Sequence, residues 1–342
     1  MLNILVIGDP HFKTDNVPEV ELFIEKITEL AKEKKPDIII MLGDLLHEHE
    51  RIHTVPLNLA LKFINKLRNI TKTYLLVGNH DMVSHLQFLN NNHWMNALKE
   101  WENVTVVDKA IYENILNEEI IFVPYVPPGR FEEALNTLSF DWKKASCIFA
   151  HQEFYGCKMG AIISEIGDKW NTNYPNIISG HIHSKQRPQE NIYYTGSAMQ
   201  NAFGESEENI IAYVKMENKS YEVEEIDLGL PRKKIIYMDV KDIQNYNINN
   251  NKDKLKISIS GEYEEFKSIK KTKKYKELIN NGLKVTFKVK KTEKKIKNDL
   301  LNKVIEDTKD LNNFQEILKN IVDSNNNTYL TDVYEIIMNK KN

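Results

Sequence analysis

Five short stretches of the sequence place aspartate, asparagine or histidine, mostly beside glycine, where they could hold metal ions. They are Gly8-Asp9-Pro10-His11, Gly43-Asp44, Gly78-Asn79-His80-Asp81, His151 and Gly180-His181-Ile182-His183. Four of the five follow an apolar run that is typical of a buried strand. A single Gly-Asp pair at such a place is usually a turn or a helix cap. Because the pattern recurs at successive strand ends, we interpret the five stretches together as one preassembled metal site.

The residue types in these stretches suit the hydrolysis of phosphoesters. Carboxylate, imidazole and amide ligands without thiolate favour Mn, Fe or Zn over Ca. Hydrolysis requires that the charge on the phosphate is neutralised and that hydroxide forms near neutral pH, and two metals roughly 3.5–4 Å apart meet both needs. A histidine beside the metals that is not itself a ligand can protonate the leaving oxygen. The pattern therefore predicts attack on a phosphoester by a metal-bound hydroxide.

The elements that must position the first three stretches alternate in the order β–α–β–α–β. Strands are predicted over residues 2–7, 37–42 and 73–77, and amphipathic helices over residues 18–35 and 57–68. This order requires right-handed crossovers and a parallel start to the sheet.

After residue 81 the pattern changes. We expect a helix over residues 85–100, followed by short antiparallel strands between residues 104 and 123. Later strands are predicted over residues 146–150, 176–179, 192–195, 210–216 and 221–226. Two packed sheets flanked by helices fit this number of strands better than one open sheet.

A small α/β module is predicted after a linker candidate at residues 229–232. Its expected elements are strands over residues 235–240, 255–260 and 283–289 and a lysine-rich helix over residues 262–280. Two closing helices are expected over residues 298–320 and 328–338. Residues 1–230 hold 21 basic and 33 acidic residues, whereas residues 231–342 hold 25 and 16. A basic C-terminal third can bind nucleic acid or an acidic partner, although solvated lysine is the plainer explanation.

The composition sets limits on the class of protein. A chain of 342 residues predicts one large domain or two. No apolar run approaches the roughly 20 residues that span a bilayer, and the N-terminus lacks the features of a secretory signal. We therefore expect a cytoplasmic or nuclear protein that is not secreted. The two cysteines, Cys147 and Cys157, are interpreted as ordinary reduced thiols.

The five stretches together resemble the calcineurin-like metallophosphoesterase superfamily, whose motifs run DxH, GD, GNH[DE], H and GHxH. The resemblance covers residues 4–183 and implies a four-layer αββα sandwich. It also implies that Asp44 bridges two divalent metals. One metal would then be held by Asp9, His11 and His183 as well, and the other by Asn79, His151 and His181. By the same resemblance His80 is the catalytic residue, a proton donor that binds neither metal.

Two further segments resemble one branch of this superfamily, the SbcD nucleases and their phage relatives within the meiotic-recombination-eleven family. Gly43-Asp44-Leu45-Leu46-His47 resembles their GDLFH segment. Residues 194–200, followed by Phe203 and Glu205, resemble their Y-x-G-S segment. Protein serine/threonine phosphatases instead carry DRG after that aspartate, and GNHE later. The resemblance implies a Mn²⁺-dependent DNA exonuclease and endonuclease within an SbcCD-like complex for double-strand-break repair or recombination.

The SbcD resemblance also implies an organisation and a set of partners. Residues 1–230 would form the nuclease domain, residues 231–292 a capping domain that grips DNA, and residues 293–342 helices that bind an SbcC-type coiled-coil ATPase. The sequence has no G-x-x-x-x-G-K-[ST] run, so ATP use would fall to that partner. We expect a homodimer and no membrane contact. DNA contacts are predicted at His47, Arg51, Lys13 and His53.

Two alternatives stay open at this stage. A metallophosphoesterase acting on nucleotides, cyclic nucleotides or a phosphoprotein would carry the same ligand set. A non-catalytic scaffold that binds DNA ends or the ATPase would keep the site as a vestige, although the complete ligand set argues against this. His49, His85 and His93 are interpreted as bystanders rather than ligands.

Overall fold

Two six-stranded sheets form the centre of the structure, a computed structural model that describes residues 1–247, 252–289, 314–325 and 327–339. The strands in chain order are β1 (Leu2–Ile7), β2 (Ile38–Met41), β3 (Lys72–Leu76), β4 (Val104–Val107), β5 (Ile111–Ile115), β6 (Glu118–Val123), β7 (Cys147–His151), β8 (Lys158–Met159), β9 (Ile162–Ile163), β10 (Asn176–Gly180), β11 (Gln186–Gln189), β12 (Ile192–Tyr194), β13 (Ile211–Glu217), β14 (Ser220–Ile226), β15 (Lys233–Asp239), β16 (Lys254–Gly261) and β17 (Lys284–Val289). The α-helices are α1 (Val17–Lys34), α2 (Thr54–Arg68), α3 (Phe131–Leu135), α4 (Tyr263–Ile269), α5 (Lys273–Asn280), α6 (Phe314–Ser324) and α7 (Thr328–Asn339). Short 3-10 helices cover Asn79–Asp81, Trp94–Glu100, Trp142–Lys144 and Val240–Asn245.

The first sheet has the order β14-β13-β1-β2-β3-β4, and β1 to β4 are parallel. The predicted parallel start is confirmed. The expectation of antiparallel strands from residue 104 onward is wrong for β4, which extends the parallel sheet beside β3.

A loop with two 3-10 helices, Asn79–Asp81 and Trp94–Glu100, connects β3 to β4. The α-helix predicted over residues 85–100 is therefore wrong, because residues 85–93 form a loop and only residues 94–100 are helical, as a 3-10 helix. Local turn bonding explains the difference. The side chain of Asn90 accepts a hydrogen bond from the backbone N–H of Asn92 at 2.9 Å, and Leu89 has a φ of 42°. Such side-chain bonds offer the backbone an alternative to a helix.

The second sheet has the order β11-β12-β10-β7-β6-β5. Strands β6, β7, β10 and β12 are parallel, and β5 pairs antiparallel with β6 as expected for that segment. Residues of both sheets, including Ile4, Ile38, Phe122 and Phe149, fill the apolar core between them.

Helices cover the outer faces of the two sheets. Phe23 of α1 and Phe63 of α2 pack on the first sheet. Phe131 of α3, with Trp142 and Trp170, packs on the second. The predicted four-layer αββα sandwich is confirmed. The parallel strands of both sheets have their carboxyl ends at the same edge of the sandwich.

Strands β15, β16 and β17 form a separate three-stranded sheet that carries α4 and α5. The single helix predicted over residues 262–280 is wrong, because the first helix ends at Ile269 and a second begins at Lys273. The Thr272 hydroxyl accepts a hydrogen bond from the backbone N–H of Tyr275 at 3.2 Å and thereby caps a new helix, α5.

This three-stranded module contacts the sandwich through polar groups. The Gln200 side chain accepts a hydrogen bond from Lys233 N at 2.6 Å and donates one to Lys233 O at 3.3 Å. Lys254 forms an ion pair with Glu19 of α1. Both contacts lie within residues Met1–Lys288, which form one compact unit. The domain boundary at residue 230 stays a prediction.

Helices α6 and α7 belong to a second unit, Val289–Asn342. Residues 298–313 of the first predicted closing helix lie outside the described residues. In the part of the chain that the structure describes, no helix is long and apolar enough to cross a membrane.

Candidate metal centre

The carboxyl ends of strands from both sheets meet at one edge of the sandwich, and the predicted ligands lie there. In the first sheet Asp9 and His11 follow β1, Asp44 follows β2 and Asn79 follows β3. In the second sheet His151 ends β7, and His181 and His183 follow β10. Residues far apart in sequence become neighbours because parallel strands end at the same edge. The structure thus brings all seven predicted ligands together.

Asn79, His151 and His181 cluster with Asp44. The Oδ1 atom of Asn79 lies 2.8 Å from His181 Nδ1 and 3.0 Å from His151 Nε2. The Oδ2 atom of Asp44 lies 3.4 Å from the same His151 nitrogen. Donor atoms of Asp44, His151 and His181 all lie within 4.8 Å of one another. These four residues are the set predicted for one of the two metals.

His11, His183 and Asp9 lie on the other side of Asp44. The Nε2 atom of His11 is 2.9 Å from Nε2 of His183 and 3.7 Å from Asp44 Oδ2. The Oδ2 atom of Asp9 accepts a hydrogen bond from the backbone N–H of His181 at 2.7 Å. These residues are the set predicted for the other metal.

Asp44 lies between the two clusters. Its Oδ1 atom accepts a hydrogen bond from the backbone N–H of His80 at 2.8 Å, which fixes the carboxylate. Its Oδ2 atom faces His11 on one side and His151 on the other. One oxygen therefore faces both groups of donors, which suits a carboxylate that bridges two metals through a single oxygen.

The donor atoms present fit a pair of divalent ions. Asp9 Oδ1 is buried and has no hydrogen-bond partner among the described residues, so a lone pair is left for a cation. His151 Nδ1 donates to the backbone oxygen of Leu42 at 2.7 Å, which leaves Nε2 unprotonated when the ring is neutral. Such a hydrogen bond from the opposite ring nitrogen is usual for metal-binding histidines. Asp9, His11, His183 and Asp44 would hold one ion, and Asn79, His151, His181 and Asp44 the other.

The electrostatics of the buried cluster favour a cation. Burial lowers the pKa of His151, but the charges of Asp44 and Asp9 outweigh burial and raise this pKa to about 9. Burial raises the pKa of Asp9 to about 6, although the charge of His151 acts against it. Burial lowers the pKa of His181 to about 3, and the charge of His151 lowers it further. The carboxylates of Asp44 and Asp9 thus stabilise positive charge beside them. Bound divalent ions would supply that positive charge in place of a protonated His151.

Several of these residues have unusual backbone conformations. The φ angles are 25° at Asp9, 46° at His11, 50° at Asp44 and 78° at His181. Non-glycine residues rarely occupy this region, and each instance costs of order 1–3 kcal/mol. The surrounding sheets therefore hold these predicted ligands in strained positions, which is typical of functional sites.

The glycine of the third stretch is required by close packing against Asp44. A Cβ atom added at Gly78 would lie 2.2 Å from Asp44 Oδ1 and 2.4 Å from Asp44 N. We expect Gly78→Ala to displace Asp44 and to lower the bound metal below two ions per chain, measured by elemental analysis. Gly129→Ala is the control, because no atom lies within 4 Å of its added Cβ and only the φ of 85° is unfavourable. Equal metal content in both variants would contradict the prediction.

His80 lies beside the ligand cluster, with its ring held from the backbone. Its Nδ1 atom donates to the backbone oxygen of His47 at 2.5 Å. His47 Nδ1 is 3.4 Å from His11 Nδ1, so the predicted DNA contact lies against a predicted ligand. Ring nitrogens of His11, His47 and His80 all lie within 4.8 Å of one another. The role of His80 as a proton donor outside the ligand set stays a prediction.

The other three predicted DNA contacts lie close to one another. Lys13, Arg51 and His53 line one narrow crevice. Arg51 and His53 are exposed, whereas the ammonium of Lys13 donates to the backbone oxygen of Asn201 at 3.1 Å. Lys233 of the C-terminal module donates to the same oxygen at 2.9 Å. Lys13 therefore also links the first stretch to the segment that contacts the module.

Glu205 is a residue whose role the sequence did not reveal, although it lies in the segment that resembles the SbcD nucleases. Its Oε1 atom accepts a hydrogen bond from His183 Nδ1 at 3.1 Å. Its Oε2 atom accepts hydrogen bonds from the backbone N–H groups of Asn201 and Ala202 at 2.8 and 2.9 Å. Burial lowers the pKa of His183, but the hydrogen bond to Glu205 and the charges of Asp9, Glu205 and Asp44 together outweigh burial and raise it. Glu205 thus fixes the ring of a predicted ligand.

Glu205→Gln is expected to weaken Mn²⁺ binding by about 10–100-fold, the usual effect of losing the carboxylate that hydrogen-bonds to a metal-binding histidine. Isothermal titration calorimetry of the metal-free protein measures this directly. Glu207→Gln is the matched control, because Glu207 is exposed on the same loop. An unchanged affinity in Glu205→Gln would show that this hydrogen bond does not support the site.

A comparison of the sequence with known protein families agrees with this candidate site. The family described as calcineurin-like phosphoesterase matches residues 2–185, a range that contains all five stretches. The chain belongs to the calcineurin-like phosphoesterase family. Members of this family are metal-dependent hydrolases of phosphoester bonds, and the candidate site supplies the aspartate and histidine donors that such chemistry needs.

Two viral proteins are similar to this family member along most of its length. "Putative phosphoesterase 078R" of Invertebrate iridescent virus 3 is 46% identical over 306 residues, which cover 88% of this chain and 88% of that protein. "Putative phosphoesterase 244L" of Invertebrate iridescent virus 6 is 48% identical over 277 residues, which cover 79% of this chain and 98% of that protein. Among solved structures, an archaeal phosphodiesterase aligns with 66% of this chain at 13% identity and a TM-score of 0.35.

Proposed function

We propose that this chain is a two-metal, Mn²⁺-dependent nuclease that hydrolyses phosphodiester bonds in DNA, and that it is the nuclease subunit of an SbcCD-like repair or recombination complex. The observation that carries the proposal is the position of His47. This histidine ends the segment that resembles the SbcD nucleases, and it lies against both His11 and His80. A residue from the motif that suggests a DNA substrate is therefore part of the site itself.

The C-terminal module supports a polymeric substrate. Its first strand begins at Lys233, whose ammonium donates to the backbone oxygens of Gln200 and Asn201 at 2.6 and 2.9 Å. The Asn201 side chain in turn donates to the backbone oxygen of Asp9 at 3.3 Å. The module thus begins beside the metal centre, where it could hold a long polyanion against the site. A DNA substrate would place the activity in the cytoplasm or the nucleus.

In this proposal the groups of the site have separate tasks. Two bound divalent ions would neutralise the charge of the phosphate and activate water for attack. Asp44 holds the two groups of donors together, and the hydrogen bond from His80 N keeps its carboxylate in place. The Nδ1–H of His80 stays with the backbone oxygen of His47, so Nε2 is the atom that gives a proton to the leaving oxygen.

A panel of substrates tests the proposal. The purified chain is incubated with linear duplex DNA, circular DNA, single strands, nucleotides, cyclic nucleotides and a phosphopeptide. Each substrate is tested with Mn²⁺, Mg²⁺ and Zn²⁺ and with EDTA, in the presence and absence of the candidate ATPase. We expect Mn²⁺-dependent cleavage of DNA that EDTA abolishes. Hydrolysis restricted to the small substrates or the phosphopeptide would replace the nuclease proposal with the broader phosphoesterase alternative. No hydrolysis in any condition, with DNA ends still bound, would favour the scaffold.

The proposed partners need their own measurements. Co-purification with the coiled-coil ATPase, and its loss on removal of residues 293–342, would support the proposed binding helices. Analytical ultracentrifugation would test the proposed homodimer, and a monomer at all concentrations would exclude it.

A further inference from the structure

The ring of His80 lies in a slot built by residues 44–49. Two hydrogen bonds hold it from one side, because Asp44 accepts from its backbone N–H and the backbone oxygen of His47 accepts from its Nδ1. Both bonds involve atoms near the Cα end of the residue or one edge of the ring. They restrain that edge of the ring, whereas the faces of the ring are restrained by neighbouring side chains.

Three neighbouring rings contact the His80 imidazole. The imidazole of His49 stacks on His80 with the ring centroids 4.3 Å apart and an interplanar angle of 23°. His47 stacks at 5.4 Å and 12°. His11 meets the His80 ring edge-on at 4.8 Å and 88°. These contacts are close enough to favour one ring orientation over others.

The contact with His49 is the closest of the three. The final torsion of a histidine side chain is broad and is restrained mainly by its neighbours. His49 is only half-buried and lies outside the predicted ligand set, so its ring is available to restrain His80 rather than to bind metal. The resemblance to known nucleases assigns no role to His49.

We propose that His49 is a positioning residue, whose ring stacks on His80 and directs Nε2 of His80 toward the leaving oxygen of the phosphoester. This inference rests on the proposed role of His80. In the reaction the oxygen of water forms a new bond to phosphorus, and the bond to the leaving oxygen breaks with its electron pair on that oxygen. The proton of His80 Nε2 neutralises the leaving oxygen, and the proton lost by water passes to solvent, which reprotonates His80.

The test compares His49→Ala, which removes the ring, with His49→Phe, which keeps a flat ring without nitrogen atoms. His85→Ala is the control, because His85 is an exposed histidine of the adjacent loop. Two substrates separate positioning from general damage. A thymidine dinucleotide has an alkoxide leaving group that needs a proton, and bis(4-nitrophenyl) phosphate has a leaving group that does not. Metal content is measured for every variant.

We expect His49→Ala to lower kcat on the dinucleotide on the order of ten-fold, with KM and metal content unchanged. Its kcat on bis(4-nitrophenyl) phosphate should change little, and His49→Phe should restore most of the activity on the dinucleotide. An equal loss on both substrates, a loss of metal, or no rescue by phenylalanine would overturn the positioning role.

The inference and the proposed function fail in different ways. If the wild type cleaves bis(4-nitrophenyl) phosphate but no DNA, the nuclease proposal fails. The positioning role is then tested on β-glycerol phosphate, which also has an alkoxide leaving group, instead of the dinucleotide. If the wild type cleaves the dinucleotide and His49→Ala does so equally well, the positioning role alone fails.

Discussion

Asp44→Ala is expected to reduce the bound metal to fewer than two ions per chain and hydrolysis to the protein-free background. The physical reason is the position of one oxygen, Asp44 Oδ2, which lies 3.7 Å from His11 Nε2 and 3.4 Å from His151 Nε2. Without it, the two groups of donors have no shared negative charge to hold two cations close together. Elemental analysis after dialysis against Mn²⁺ gives the metal content, and hydrolysis of bis(4-nitrophenyl) phosphate gives the activity.

Two further variants show which property of Asp44 matters. Asp44→Asn keeps an oxygen that can accept the hydrogen bond from His80 N but removes the charge, so we expect it to lose metal as well. Asp15→Ala removes an exposed carboxylate near the same edge and should behave as the wild type. Two firmly bound ions in Asp44→Ala would contradict the bridging role.

His80→Gln is expected to lower kcat on DNA by about 10²–10⁴-fold, the usual contribution of a general acid. Metal content should stay at the wild-type level, because His80 is predicted to bind neither ion. The defect should be much smaller on bis(4-nitrophenyl) phosphate, whose leaving group needs no proton. Steady-state kinetics on both substrates, together with elemental analysis, measure these three quantities.

The control for His80→Gln is His85→Gln, which changes an exposed histidine in the next loop. DNA binding by the two variants should be equal in a gel-shift assay. Loss of metal in His80→Gln would place His80 among the ligands, consistent with its closeness to His11 and His47. Wild-type turnover would remove it from the mechanism.

The fold could be predicted where the pattern of apolar residues was unambiguous. The strands that end near Asp9, Asp44 and Asn79 are continuous apolar runs, and the helices between them have a clear amphipathic period, so the parallel start was evident. The predictions failed where local side-chain bonds decided the backbone. Asn90 turns the chain where a helix was expected, and Thr272 interrupts the predicted lysine-rich helix. Short-range hydrogen bonds of this kind leave little trace in a hydrophobic pattern.

The partner strand of β4 also could not be predicted from its sequence. A four-residue run can join either sheet, and the choice depends on where the preceding chain leaves it. The loop after Asn79 is compact because the buried carboxylate of Asp81 accepts hydrogen bonds from Gly78 N, Leu46 N and Trp94 Nε1. That loop returns the chain to the open edge of β3.

The sequence by itself determined the donor types, their order along the chain and the family motifs they form. It did so because each predicted ligand lies at or just after the end of a strand, and a strand end can be recognised from the local sequence. The tertiary structure decided which donors meet, since Asp44 lies between His11 and His151 only after two sheets have packed. It also decided the support around them, in which Glu205 holds His183 and His49 stacks on His80. Such contacts join residues that no local pattern relates, because they depend on the packing of distant strands and loops.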